Sequence, residues 1–147
     1  MPDFEPRDLQ FKARIEKSFE DQPYLGFVGA ELRHVGAGAV DIELPFRAAL
    51  TQHAGYVHGG VLTAIADAAA GYAAMTLAAT DFGVLTTELK VNFLRPVGDG
   101  LLVARGRVIK PGRTLNIVQA DVFEAKGERQ IHVLTGLVTM MFVEGLA

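Results

Sequence analysis

GYVHGGVLTAIADAAAGYAAM, residues 55–75, is the stretch on which the fold turns. It carries one carboxylate, Asp67; apart from His58, Thr63 and two tyrosines, everything around it is Ala, Gly, Val, Leu, Ile or Met. An aspartate in such company loses its water. It must find partners, take up a proton, or be kept for chemistry. The pattern predicts a helix from about Gly60 to about Ala79, apolar on nearly every face. Val61–Ala79 is long enough to span a bilayer, but Asp67, the many alanines and the lack of a basic flank favour a helix buried in a soluble protein.

The flanking sequence says what buries it. Phe11, Ile15 and Phe19 recur at spacing four, which predicts an amphipathic helix over about 7–21, stopped by Pro23. Runs 25–34 and 37–45 read as strands, the second alternating through Val40, Ile42 and Leu44. Beyond Gly83 the period becomes two. Leu85, Thr87, Leu89, Val91 and Phe93 alternate with Thr86, Glu88, Lys90, Asn92 and Leu94, and runs 101–109, 114–124 and 130–143 follow, parted by turn signals at Gly98–Gly100, Pro111-Gly112 and Lys126-Gly127. The expectation is an α+β domain: four strands in an antiparallel meander, joined by the two earlier ones, curved around the central helix. One sheet cannot enclose a helix that is apolar all round, and its edge strands need partners, so dimerisation is expected.

Composition bounds the rest. The 147 residues are half hydrophobic with a formal charge of −3, which suits one compact domain and gives no global attraction to nucleic acid or anionic membrane. Cysteine is absent, excluding disulfides, zinc ribbons and thiol nucleophiles. The charged N-terminus lacks the apolar core of a signal peptide, and a cytoplasmic location is expected. His53 and His58 have no carboxylate at metal-ligand spacing, and no Gly-x-Ser-x-Gly, P-loop or dinucleotide fingerprint occurs. Neither a metal nor a redox cofactor is expected.

The alanine-rich helix opened by His58-Gly59-Gly60, with Asp67 nine positions after the histidine, resembles the hotdog fold. Together with TTELKVNFLRP, residues 86–96, it resembles more narrowly the phenylacetate-pathway (PaaI-type) acyl-CoA thioesterases, over roughly residues 25–143. The resemblance implies hydrolysis of an acyl-CoA thioester without a metal, in homodimers that pair into homotetramers. It implies that Gly59 polarises the thioester carbonyl, that His58 shapes the turn, that Gln52 stands where relatives hold the attacking water with an Asn, and that Thr86 supplies a hydroxyl at the start of the strand.

The residue chemistry is compatible. A helix N-terminus offers free N–H groups and partial positive charge, and Gly59 and Gly60 let a carbonyl approach them. Asp67 is the candidate general base on water, or the nucleophile that forms an anhydride. Gly59 and Asp67 are eight residues apart, roughly 12 Å along a helix, whereas a reacting carbonyl must sit about 3 Å from both groups. If both act, they come from different chains with antiparallel helices. Thr86, on the opposite parity from Leu85 and Leu89, is expected to face away from the core stripe. The acyl group is expected between the helices near Val61, Ile65 and strand 84–93. Gly60, Val61, Asn92, Arg95, Lys110 and Arg113 are the candidate substrate contacts, with Lys90, Arg105 and Arg107 as further cations for the coenzyme A phosphates. Two rival readings share the fold: a non-catalytic acyl-CoA-binding module, and an enoyl-CoA hydratase-type enzyme, which usually carries a Phe-Pro-rich segment after its histidine.

Overall fold

The computed structural model describes residues 4–146. The chain runs α1 (Phe11–Asp21), α2 (Pro23–Val28), β1 (Glu31–Gly36), β2 (Ala39–Leu44), a short 3-10 turn (Ala48–Leu50), α3 (Gly59–Met75), β3 (Phe82–Phe93), β4 (Leu101–Lys110), β5 (Leu115–Lys126) and β6 (Arg129–Glu144). All strand pairs are antiparallel in one six-stranded sheet of order β1-β2-β4-β5-β6-β3. Its inner face wraps α3, which touches β2 through β6.

Helix α1 buries Phe11, Ile15 and Phe19 as its spacing predicts. It starts four residues later than expected, after a turn in which the Gln10 N–H donates to Asp8 Oδ1. The first predicted strand, 25–34, is half wrong. Pro23 opens a second helix at its first turn, where a missing N–H costs nothing. Gly29, in the left-handed region at φ 82°, closes it. The strand begins only at Glu31.

The expected four-strand meander also needs correction. Of these four strands β4, β5 and β6 are successive hairpin neighbours, whereas β3 crosses to the far edge and pairs with β6. The Gly98–Gly100 segment is therefore part of a crossover, not a hairpin. It is anchored where the buried Glu124 carboxylate accepts the Gly98 and Gly100 N–H groups at 3.2 and 3.0 Å.

Helix α3 sits directly on β4: a side chain at Gly106 would meet the Ala69 carbonyl at 2.1 Å. It ends at Met75 rather than near Ala79. Thr76 caps it by donating to the Ala73 carbonyl while accepting from the Gly38 N–H. Beyond that end the Arg14 guanidinium donates to the carbonyls of Met75, Ala78, Ala79 and Phe82. A cation against the negative end of a helix is favourable. From Leu62 to Met75 the helix is buried except at Thr63, Ala64, Asp67 and Ala68, one stripe at helical spacing that the sheet leaves partly open. No helix among the described residues is long and apolar enough to cross a membrane.

Candidate active site

Asp67 lies on that open stripe, half-buried. Thr86 Oγ1 donates to its Oδ1 at 2.7 Å, and among the described residues Oδ2 meets no protein donor. This contact exists because β3 is bulged. Thr86 opposes Met140 and Glu88 opposes Thr139, so Thr87 is an extra residue that reverses the strand's parity. Val84 and Thr86 face α3 on one side of the bulge, and Leu89 and Val91 face the core on the other. The expectation that Thr86 points away from the core stripe is thus corrected: it turns toward its own helix, and Leu85, 50% exposed, takes the outer face. Uniform alternation cannot reveal a bulge.

Around Asp67 opens a cleft of about 310 Å³, lined on α3 by Ala64, Ala68, Gly71 and Tyr72, on the strands by Val84 and Met140, and from the N-terminal helices by Leu25. Ile65, expected to line the acyl pocket, is fully buried under the sheet, and Val61 packs against the core at the edge of α3. Small residues on the exposed stripe form the cleft instead.

The helix N-terminus makes a second centre. His58 is the N-cap, and its Nδ1 accepts the Gly60 N–H at 2.8 Å. Its carbonyl accepts the N–H groups of Val61 at 2.9 Å and Leu62 at 3.4 Å. An α-helix starts with four N–H groups that lack partners within it. The Leu62 bond is the helix's own first one; of the four, His58 accepts those of Gly60 and Val61, its own N–H donates to the Leu50 carbonyl at 2.9 Å, and among the described residues no acceptor meets that of Gly59. A cleft of about 320 Å³ lies beside it, lined by Gln52, Gly59, Leu62, Phe93 and Arg95 among others. The Gln52 side-chain oxygen is held by the Ala54 N–H, so its amide nitrogen is the end left for a ligand. Arg95 donates to the His132 carbonyl at 3.2 Å.

The two clefts share no lining residue. One chain therefore brings together Asp67 with Thr86, and separately Gln52, His58, Gly59, Gly60 and Arg95. The remaining candidates reach neither cleft. Asn92 accepts from Lys90 on the outer face of β3. Lys110 and Arg113 flank the β4–β5 turn, whose Pro111 and Gly112 lie near Leu77, past the other end of α3. Arg105 stacks over the Phe123 ring, and Arg107 pairs with Asp41 at 2.6 Å, so both are engaged on the sheet surface. Among the described residues no three His, Asp or Glu side chains converge as metal ligands would.

Sequence reasoning missed Tyr72. Its ring packs against Phe19 and its hydroxyl accepts from Gln22 Nε2 at 2.8 Å, with Ser18 Oγ at 3.4 Å. Loss of water on burial pushes its phenol above the ordinary value of 10.0, against the opposing pull of those two hydrogen bonds. A tyrosine in an apolar helix gives no sign of partners some fifty residues earlier in the chain.

Residues 54–131 match the family model of the thioesterase superfamily. This chain belongs to the thioesterase superfamily. The thioesterase is 34% identical to a thioesterase family protein from Silicibacter pomeroyi, whose crystal structure superposes with a TM-score of 0.89 over 92% of this chain and 99% of that one. It is 31% identical over 112 residues, 76% of this chain and 74% of the other, to a Saccharolobus solfataricus protein whose name marks it as an esterase candidate. The Escherichia coli PaaI protein of the phenylacetic acid degradation operon shares the fold, with a TM-score of 0.84 at 18% identity over 92% and 95% of the two chains. The curved sheet around α3 is the hotdog fold.

Proposed function

We propose that this thioesterase hydrolyses acyl-CoA thioesters at a site built from two chains, with Asp67 and Thr86 of one protomer facing His58 and Gly59 of its neighbour. The observation that carries the reading is the separation of the two half-sites: each has one part of the chemistry, and they lie roughly 12 Å apart on one helix in clefts with no common wall.

A two-fold axis resolves that separation. Strand β3 is a sheet edge with large exposed apolar side chains, Leu85 and Phe93 (54% exposed), as an edge awaiting a partner would have. Antiparallel pairing of two β3 strands about a point near Leu89 and Lys90 sets Thr86 opposite the partner's Phe93, the residue that lines the Gly59 cleft. An axis near Thr63 sets Asp67 opposite the partner's Gly59 and covers the open stripe of α3 with a second one. In this arrangement the Gly59 N–H polarises the carbonyl oxygen. Asp67, with Oδ1 fixed by Thr86, either takes a proton from the attacking water or attacks through its own Oδ2; the carbon–sulfur bond breaks and coenzyme A leaves as the thiol, its proton coming from Asp67 in the first case and from water in the second, where water then splits the anhydride to free the acid and restore Asp67. Arg95 stands beside the same cleft as a phosphate contact. The Lys110–Arg113 turn, beyond the far end of α3, falls on the side of the partner's helix start and is a second candidate.

The acyl group occupies the Asp67 cleft. A cavity of about 150 Å³ holds benzene, so 310 Å³ accommodates an aromatic ring with a linker or a medium chain. The test is a turnover screen of aromatic and aliphatic acyl-CoAs with Asp67→Asn as control. The variant is expected to lose hydrolysis and keep binding. Wild-type protein that binds these thioesters without turning any over would make it a binding module instead.

A further inference from the structure

The Asp67 cleft does not end in a solid wall. A second cleft of about 460 Å³ lies behind it, between α1 and the end of the chain, and Ser18, Gln22, Met75 and Leu146 line both. Of the residues that line both, Gln22 and Ser18 make a contact with the hydroxyl of Tyr72, which lines only the first. The sides of this contact differ in rigidity. Tyr72 is 3% exposed, sits in the last turn of α3 and is braced by the Phe19 ring at 5.6 Å. Gln22 is the junction residue between α1 and α2, with extended backbone at φ −81° and ψ 109°, and its half-buried side chain is held at its tip by Tyr72. Rotation of that one side chain exchanges a hydrogen bond to Tyr72 for one to water, a trade worth little in net free energy.

We propose that Gln22 and Ser18, by holding the Tyr72 hydroxyl, form a removable partition that fixes how long an acyl group the enzyme accepts. With the partition closed, the acyl group is confined to the space beside Asp67. With it open, a longer aliphatic chain threads past Tyr72 and Met75 into the outer cleft, where Pro23 and Leu146 offer apolar surface. Gln22 and Ser18 act as specificity-determining residues from the N-terminal helices, remote in sequence from every residue of the chemistry. The inference rests on the reading that the acyl group enters the Asp67 cleft.

Binding of S-alkyl coenzyme A thioethers from butyl to hexadecyl tests it, because a thioether cannot be hydrolysed and the result does not depend on Asp67 being the catalyst. Each added methylene that leaves water tightens binding about fourfold. Calorimetric titration of wild type should show that gain through the medium lengths and then a break, past which longer chains gain nothing. In Gln22→Ala the break should move to longer chains, so that hexadecyl relative to butyl binds at least about tenfold better than in wild type. Tyr72→Phe keeps the ring and deletes the hydroxyl that holds Gln22, and should move the break the same way; it carries the test if Gln22→Ala does not fold. The readout is the position of the break, so a general weakening of binding lowers the curve without imitating the result. Coincident breaks in wild type and variant would overturn the partition, and so would profiles with no gain per methylene at any length. Loss of the thioesterase reading is seen separately, as absence of turnover in the wild-type screen.

Discussion

Thr86 meets Asp67 across 2.7 Å because β3 gains one residue at Thr87, which turns the threonine hydroxyl inward toward the helix. The hydroxyl fixes one carboxylate oxygen, and among the described residues the other meets no protein donor. A hydrogen bond to a charged group contributes about 1.5–3 kcal/mol. Thr86→Val, which keeps the shape and deletes the hydroxyl, should therefore lower kcat/KM by about ten- to a hundredfold in steady-state assays, and Thr86→Ser should restore most of it. Wild-type activity in Thr86→Val would show that the contact serves folding alone.

His58 acts on the helix rather than on the carboxylate. It caps α3 and accepts the N–H groups of Gly60, Val61 and Leu62, while that of Gly59 meets no acceptor among the described residues. His58→Ala should cost about 1 kcal/mol in chemical denaturation, the usual loss for an N-cap side chain. His58→Asn, which can still accept from the Gly60 N–H, should recover much of that stability.

Arg14 closes the other end of the same helix with four carbonyl contacts, and Asp8 pairs with it at 3.1 Å. Arg14→Met keeps the aliphatic stem and strands the carbonyls. A loss of about 2–4 kcal/mol in urea unfolding is expected from the lost charged hydrogen bonds and the helix dipole. An unchanged midpoint would mean that water replaces the guanidinium without cost.

Gly106 is where helix and sheet touch most closely. Gly106→Ala puts a methyl 2.1 Å from the Ala69 carbonyl, and neither rigid element can yield locally. Destabilisation of about 3 kcal/mol or more is expected, at the upper end for overpacking, read as a lower melting temperature or as insoluble protein.

The Tyr72 phenol is pushed up by burial, so the folded state keeps a proton that the unfolded state releases. That contribution is fully present below the unfolded value of 10.0 and is lost as the pH rises above it toward the higher folded value. The alkaline fall in stability should therefore be shallower in Tyr72→Phe than in wild type between neutral pH and about pH 11. Parallel curves would refute the assignment.

The central helix was legible because a carboxylate within an alanine-rich apolar run, opened by two glycines, constrains both burial and chemistry. The hairpins β4–β5 and β5–β6 were legible from their turn residues. What escaped was non-local. The crossover that sends β3 to the edge beside β6 leaves no mark in the 94–100 segment, because Gly98 and Gly100 read equally well as a hairpin turn. The bulge at Thr87 is invisible to a count of alternating residues. Helix α2 was misread because its apolar run 25–28 satisfies both periods, and only the pairing of Pro23 with Gly29 argues for a helix. In the site, Asp67, Thr86, His58 and Gly59 carried signals in their neighbours. Tyr72, Gln22 and Arg14 did not, since their partners are set by tertiary packing.

The two-chain site is tested most directly by mixing two inactive variants. Gly59→Pro removes an N–H that meets no acceptor among the described residues, at a position whose backbone suits proline: it is the first residue of α3, and His58 before it is extended at φ −63° and ψ 135°. Asp67→Ala removes the carboxylate. Each alone should be inactive. Verified mixed dimers carry one site with both intact groups, so an exchanged one-to-one mixture should regain about a quarter of parent activity. Mixed dimers that stay as inactive as the separate variants would contradict a site shared between chains.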